Sequence, residues 1–216
     1  MKIPVWSFTL LSTYDRCPRQ AEARYITKEL PYVENPQAAH GNDVHDEYEG
    51  CIKRKGFPVK YPEGLKYFHD IYALPCTELM AEQQLGVTRD WKPTGFFGND
   101  VWGRGKLDVT AILNSTTAIL FDWKTGNSAY EDPFELEVQA VLLKAKYPDL
   151  QTIKGCYIYL KDDRYGKVYD LSSKIEKTKK TIEEIMNRVN QGLFYANKNA
   201  LCGWCALTSC KHHKNK

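Results

Sequence analysis

Residues 120–127, LFDWKTGN, set Asp122 and Lys124 two positions apart inside an apolar run. In an extended strand such residues share a face at about 6.5–7 Å, from a rise of ~3.3 Å each. Carboxylate and ammonium then project together, while Trp123 points to the opposite face, where a bulky aromatic can pack. A buried charge is costly unless it is paired, coordinated or used. Asp108 lies on the preceding predicted strand, just after Gly105, and reaches Asp122 if the two strands form a hairpin. Two adjacent carboxylates raise one another's pKa unless a cation lies between them. A hard divalent ion, Mg²⁺ or Mn²⁺, takes such oxygen ligands and keeps some waters. That chemistry suits phosphodiester hydrolysis, with Lys124 orienting the attacking water or steadying the pentacoordinate phosphate. Taken alone, D-x-K is common and reads better as a surface ion pair on an edge strand; it is the set of residues that favours chemistry.

The elements that must carry these residues follow from periodicity. Ser7 caps a predicted helix over FTLLSTYDR, and Pro18 marks a break or new first turn before RQAEARYIT. Residues 35–56 predict an amphipathic helix closed by Gly56, and 63–74 a third helix. The period then changes: 80–90, 101–113 and 116–124 predict strands, the last two joined by the turn-like NSTT. Residues 132–148 predict a helix with Asp132 as cap, Pro133 at the first position, and Leu136, Ala140 and Leu143 on one face. Strands at 152–162 and 166–172 and a long helix over 173–194 complete the chain. This order predicts an α/β (mixed α+β) fold with a central mixed sheet flanked by helices.

The chain of 216 residues is 43% hydrophobic and 12% aromatic, enough for a folded core. No apolar run approaches the ~20 residues of a membrane span, and the opening segment makes a poor signal peptide, so the expected location is cytoplasmic. Residues 211–216 carry the whole net charge of +3, leaving the rest neutral, so any polyanion must be held by a local basic patch. Seven cysteines without a secretion signal argue against a disulfide framework. Cys202, Cys205 and Cys210 are spaced as soft metal ligands, with a fourth available from His212, His213 or Cys17. Cys51, Cys76 and Cys156 are isolated and read as small core residues.

The pair GKLD at 105–108 and DWKTG at 122–126 resembles the PD-(D/E)XK nuclease superfamily, in its RecB-like branch, including CRISPR-associated and AddB-type exonucleases. HGNDVH at 40–45 resembles the family's first motif, WSFTLLSTYDRCPRQ its opening helix, and LEVQAVLLKAKYP the helix carrying Q-x-x-x-Y. The resemblance implies a restriction-endonuclease-like core over one nuclease domain, 1–216, with a helical part at 35–60 and a catalytic sheet at 78–171. It implies Asp108, Asp122, Lys124 and Gln139 as catalytic residues, and His45, Asp108, Asp122 and the Trp123 backbone carbonyl as metal ligands. Glu82 is either a further acidic group beside the site or a solvent-facing strand residue. Position 143 is Leu where the family has Tyr; Tyr147 lies one turn further along. The resemblance also implies that Cys17, Cys202, Cys205 and Cys210 hold a 4Fe-4S cluster, with zinc the alternative. One residue fewer precedes the last cysteine than in some members. Segments 1–25 and 195–216 would then be stapled together.

By the same resemblance the activity is exonucleolytic, on DNA ends or single strands. The setting would be a phage, mobile element or CRISPR system, with a recombination or CRISPR-adaptation protein as partner. A non-catalytic DNA-binding module of the same fold and a structure-selective endonuclease are the alternatives. Phosphate contacts are expected from Arg16, Arg19, Arg24, Lys53, Arg54 and Lys55 and from Lys174, Lys177, Lys179 and Lys180. Tyr14, Tyr25 and Trp204 are candidates for stacking on bases, with core packing the competing role.

Overall fold

The chain is described here by a computed structural model covering residues 4–30, 36–126 and 131–213. It divides into two compact units, Glu34–Thr178 and the joined termini Met1–Val33 with Lys179–Lys216.

The larger unit is built on a seven-stranded mixed sheet of order β2-β1-β3-β4-β5-β6, with β7 also pairing β5. The strands are β1 (Glu78–Val87), β2 (Pro93–Thr94), β3 (Gly103–Asn114), β4 (Thr117–Lys124), β5 (Thr152–Tyr159), β6 (Arg164–Tyr165) and β7 (Tyr169–Asp170). β1, β3 and β4 form an antiparallel meander, whereas β4 and β5 run parallel, with Asp122 opposite Tyr157. A parallel neighbour requires a crossover, here the helix numbered α5 (Phe134–Lys146).

The predicted hairpin of β3 and β4 forms in the expected place. The predicted strand at 166–172 shrinks to two-residue pairings, because little of that polar segment can be buried. The cap of α5 shifts by one residue. Pro133 occupies the N-cap position, and Asp132 acts from outside by accepting the Phe134 N–H at 3.0 Å. Its carbonyl freed for the helix, Pro133 takes the Glu137 N–H at 2.9 Å.

One sheet face is covered by α3 (Pro36–Arg54) and α4 (Leu65–Tyr72). Trp123 is the centre of that layer: Phe68 stacks on it at 5.5 Å and 8°, and Tyr48 meets it edge-on at 4.9 Å. Val44, Val109, Ala111 and Ile158 close the same core. Cys51 and Cys156 are buried in it, and Cys76 packs against it. The other face carries α5, buried almost all round by Leu136, Val138, Ala140, Val141 and Leu142. Gly105 lets helix and sheet approach, since a Cβ there would meet Leu142 Cδ1 at 2.8 Å.

The terminal unit holds α1 (Phe8–Arg16), α2 (Pro18–Ala21), a π-helical turn over Glu22–Ile26, most of α6 (Ile175–Asn190) and a 3₁₀ turn over Ala200–Trp204. The predicted caps form: Ser7 accepts the Leu10 N–H at 3.4 Å, and Pro18 opens α2. Trp6, Leu10, Leu11 and Tyr14 are buried. Tyr14 therefore offers no ring to a nucleic acid. Its hydroxyl donates to the Leu193 carbonyl at 2.6 Å, which satisfies the polar end of a core aromatic. Among the described residues no helix is long and apolar enough to cross a membrane.

Candidate metal centre

The site begins with a break in strand alternation. Glu82 has φ 46°, in the left-handed region that side chains other than glycine rarely adopt. Its neighbours keep register with β3, Ala81 opposite Val109 and Gln83 opposite Leu107, so Glu82 and Asp108 form the one unpaired step between them. In a regular strand Met80 and Gln83 would face opposite ways; here Gln83 Nε2 lies 3.2 Å from Met80 Sδ. The left-handed residue has reversed the alternation. The chain is strained where a site would gain from it.

At this step His45, brought by α3, meets both carboxylates. His45 Nδ1 lies 3.4 Å from Glu82 Oε1 and 3.4 Å from Asp108 Oδ1. One ligand atom from each of the three residues falls within 4.8 Å of the others. The second oxygen of Asp108 is oriented by the Trp123 N–H at 2.9 Å. It is thus the Trp123 amide that meets Asp108, at the point where β4 turns away from β3. Glu82 Oε2 also faces Lys106 Nζ at 3.3 Å.

Asp122 sits alongside, held from the α5 side. Gln139 Nε2 donates to Asp122 Oδ1 at 2.8 Å, and Lys124 Nζ lies 2.5 Å from Asp122 Oδ2. The shared face expected of positions i and i+2 is therefore present. Lys124 also donates to Glu135 Oε2 at 2.7 Å and lies 5.0 Å over the Tyr157 ring. Tyr147 follows the end of α5, and its hydroxyl accepts from Gln83 Nε2 at 3.2 Å.

The protonation pattern reflects crowded acids. Burial, then the charge of Asp122, pushes the Asp108 carboxyl up to about 6 despite His45. Burial and Asp122 likewise push Glu135 up to about 7 against Lys124. Burial acts against the His45 imidazolium, but hydrogen bonds to Asp108 and Glu82 raise it to about 10. Burial also opposes the Lys124 ammonium, yet Asp122 and Glu135 hold it above its ordinary value. Burial would raise Glu82, but His45 and Lys106 bring it below its ordinary value. An imidazolium thus stands among acids that call for positive charge.

One imidazole and two carboxylates, with a third carboxylate beside them, make a hard donor set that fits Mg²⁺ or Mn²⁺. Asp122 adds to the fit as a buried carboxylate whose Oδ2, beyond its ion pair with Lys124, makes no further hydrogen bond among the described residues. The structure brings together His45, Glu82, Asp108, Asp122, Lys124 and Gln139. Sequence reasoning missed Glu135. Its signal was available, since Glu135 precedes Gln139 by four residues on one helical face.

In the terminal unit, Cys17, Cys202, Cys205 and Cys210 line one cavity of about 190 Å³, together with His212 and His213. All four cysteines are free. Gln20 Nε2 lies 3.7 Å from Cys205 Sγ, and the Asn199 N–H donates to Cys202 Sγ at 3.3 Å. Trp204, at the same cavity, is 87% exposed. Of the expected phosphate contacts, Arg19 is engaged by Glu22 at 3.0 Å and Glu29 at 2.7 Å, and Lys53 pairs with Glu49.

No protein-family profile matches the chain, and no curated protein matches it. Among solved structures it is similar to the crystal structure of SSO0001. The TM-score is 0.50 at 16% identity, covering 93% of this chain and 84% of that one. At that identity the likeness concerns the fold alone.

Proposed function

We propose that this protein is a Mg²⁺- or Mn²⁺-dependent deoxyribonuclease of the PD-(D/E)XK type, acting on DNA ends or single strands. One observation carries the reading: His45, Glu82 and Asp108 converge at a strained strand position, with the Asp122–Lys124 pair beside them. His45, Glu82 and Asp108 would hold the ion, with Asp122 completing the set from β4. When bound, the ion supplies charge to the scissile phosphate and acidity to a coordinated water.

The chain's own groups do the rest. Lys124, kept protonated by Asp122 and Glu135, presents an ammonium to an incoming phosphate or a water. Gln139 fixes the rotamer of Asp122 through one oxygen and leaves the other toward Lys124. Trp123 fixes Asp108 through its amide while its ring anchors β4 in the core. The remote contacts thus preorganise the acids.

The test is cleavage of 5′-labelled, 3′-labelled and circular single-stranded DNA, with and without Mn²⁺. Linear substrates should shorten and circles persist. Asp108→Ala and Lys124→Ala should each abolish metal-dependent cleavage in folded protein; unchanged cutting by either variant removes the site assignment. Linearised circles would instead indicate an endonuclease.

We further read the cysteine cavity as the place of a 4Fe-4S cluster held by Cys17, Cys202, Cys205 and Cys210. It is supported by four free thiols lining one cavity, although among the described residues their sulfurs do not converge as the His45, Glu82 and Asp108 ligand atoms do. Anaerobically purified protein should be brown, absorbing broadly near ~400 nm. Colourless protein with stoichiometric zinc reverses this in favour of the other metal that suits four thiolates.

A further inference from the structure

The reversal of alternation at Glu82 also decides what lies beyond the metal centre. Past that step, Gln83, Leu85 and Val87 turn with Leu107 toward the α5 side: Gln83 touches Tyr147, and Leu85, Val87 and Leu107 are buried. The residues that alternate with them, Gln84 with its partner Lys106, and Arg104 opposite Gly86, turn to the other side, the side of Glu82, as the Lys106–Glu82 contact shows. Gln84 and Lys106 are exposed there. A basic stripe therefore runs from the acids along one strand, Lys106 then Arg104.

The stripe ends in aromatic side chains. The β2–β3 connection carries Phe96 and Phe97, whose rings meet edge-on at 4.9 Å. The Arg104 guanidinium lies over both, at 4.9 Å from Phe96 and 5.1 Å from Phe97, and donates to the Phe96 carbonyl at 3.2 Å. Phe97 is 76% exposed although it is one of the largest apolar side chains in the unit. A loop tip has no folding reason to present a phenyl ring backed by a guanidinium. Such a ring has an open π-face and a cation behind it, which suits a nucleobase followed by phosphates.

We propose that Phe97, backed by Phe96 and Arg104, is a base-stacking platform for unpaired nucleotides, with Lys106 holding a phosphate between it and the metal centre. Four strand steps lead from Arg104 to Asp108, about 13 Å at ~3.3 Å each, or roughly four nucleotides at the ~3.4 Å spacing of a stacked strand. The platform favours single strands because a paired base shows no free face. An apolar protein partner fits less well, since the aromatic tip is continuous with the cations Arg104 and Lys106. The inference rests on the nuclease reading for its substrate, not for its binding test.

The experiment measures anisotropy of fluorescein-labelled oligothymidine in EDTA, so that no cleavage intervenes. Phe97→Ala should weaken binding by roughly 5- to 100-fold, the range of a lost base stack. Phe97→Trp should restore it, and the apolar but non-aromatic Phe97→Leu should not. Val168→Ala, at another exposed apolar position, should bind as the parent does. Equal affinity of Phe97→Ala and the parent overturns the platform, as does Leu performing as well as Trp, or a parent that does not bind oligothymidine. If the aromatic order holds but the parent never cleaves DNA with Mn²⁺, the platform stands and the nuclease reading falls.

Discussion

Glu135 is the group whose titration has the clearest consequence. A carboxyl raised in the fold binds its proton more tightly than in the unfolded chain, so ionising it costs stability. The loss starts near the ordinary value of 4.5 and is complete above the folded value of about 7. Asp108, raised from 3.8 to about 6, acts in the same direction. Imidazolium stabilisation by His45 is full below 6.5 and fades as pH rises toward about 10. The metal-free protein should therefore lose stability as pH rises from 4.5 to 7. Glu135→Gln should remove up to about 3 kcal/mol of that loss, at ~1.4 kcal/mol per pKa unit, read by urea unfolding in EDTA across this range. Equal slopes for variant and parent would deny Glu135 its place. Asp122, Lys124 and Asp108 were legible because period two dictates which side chains share a face. Glu82 was ambiguous because nothing in MAEQQLG announces a left-handed glutamate.

The contact between α5 and the β1–β3 pair is made at Gly105, where a Cβ would press on Leu142 at 2.8 Å. Gly105→Val should force helix and sheet apart and cost about 1–3 kcal/mol, the usual penalty of overpacking. Because Asp108 is three residues on from Gly105 and Gln139 three residues before Leu142, the same variant should also weaken Mn²⁺ affinity measured by calorimetry. An unchanged unfolding midpoint would show that this approach is slack. Helices α3 to α5 were legible from apolar spacing and caps. The cap of α5 was placed one residue early, since an Asp-Pro pair permits either residue to cap. The last strand was overestimated because alternation in GKVYDLS is too short to distinguish a strand from a two-residue bridge.

The chain's two units set their own tests. The termini are joined in one unit whose small core includes Ala23, Leu30 and Leu207 packed against Cys205 and Cys210. If a cluster is held there, its ligand energy is folding energy. Cys17→Ser should then render 1–33 and 179–216 sensitive to protease while 34–178 persists as a resistant fragment, read by mass spectrometry. Identical digestion of variant and parent would show that no ligand links these segments. Periodicity and residue spacing alone decided the helices and strands, the common face of Asp122 and Lys124, and a thiol group near the C-terminus, because each depends on neighbours within a few residues. Only the folded chain decided that His45 reaches Glu82 and Asp108, that Cys17 lines the same cavity as cysteines near the other end, and that Arg104 lies beneath Phe97. Those meetings depend on strand register, on one left-handed residue and on helix packing, which arise from many weak contacts made together and leave no local pattern.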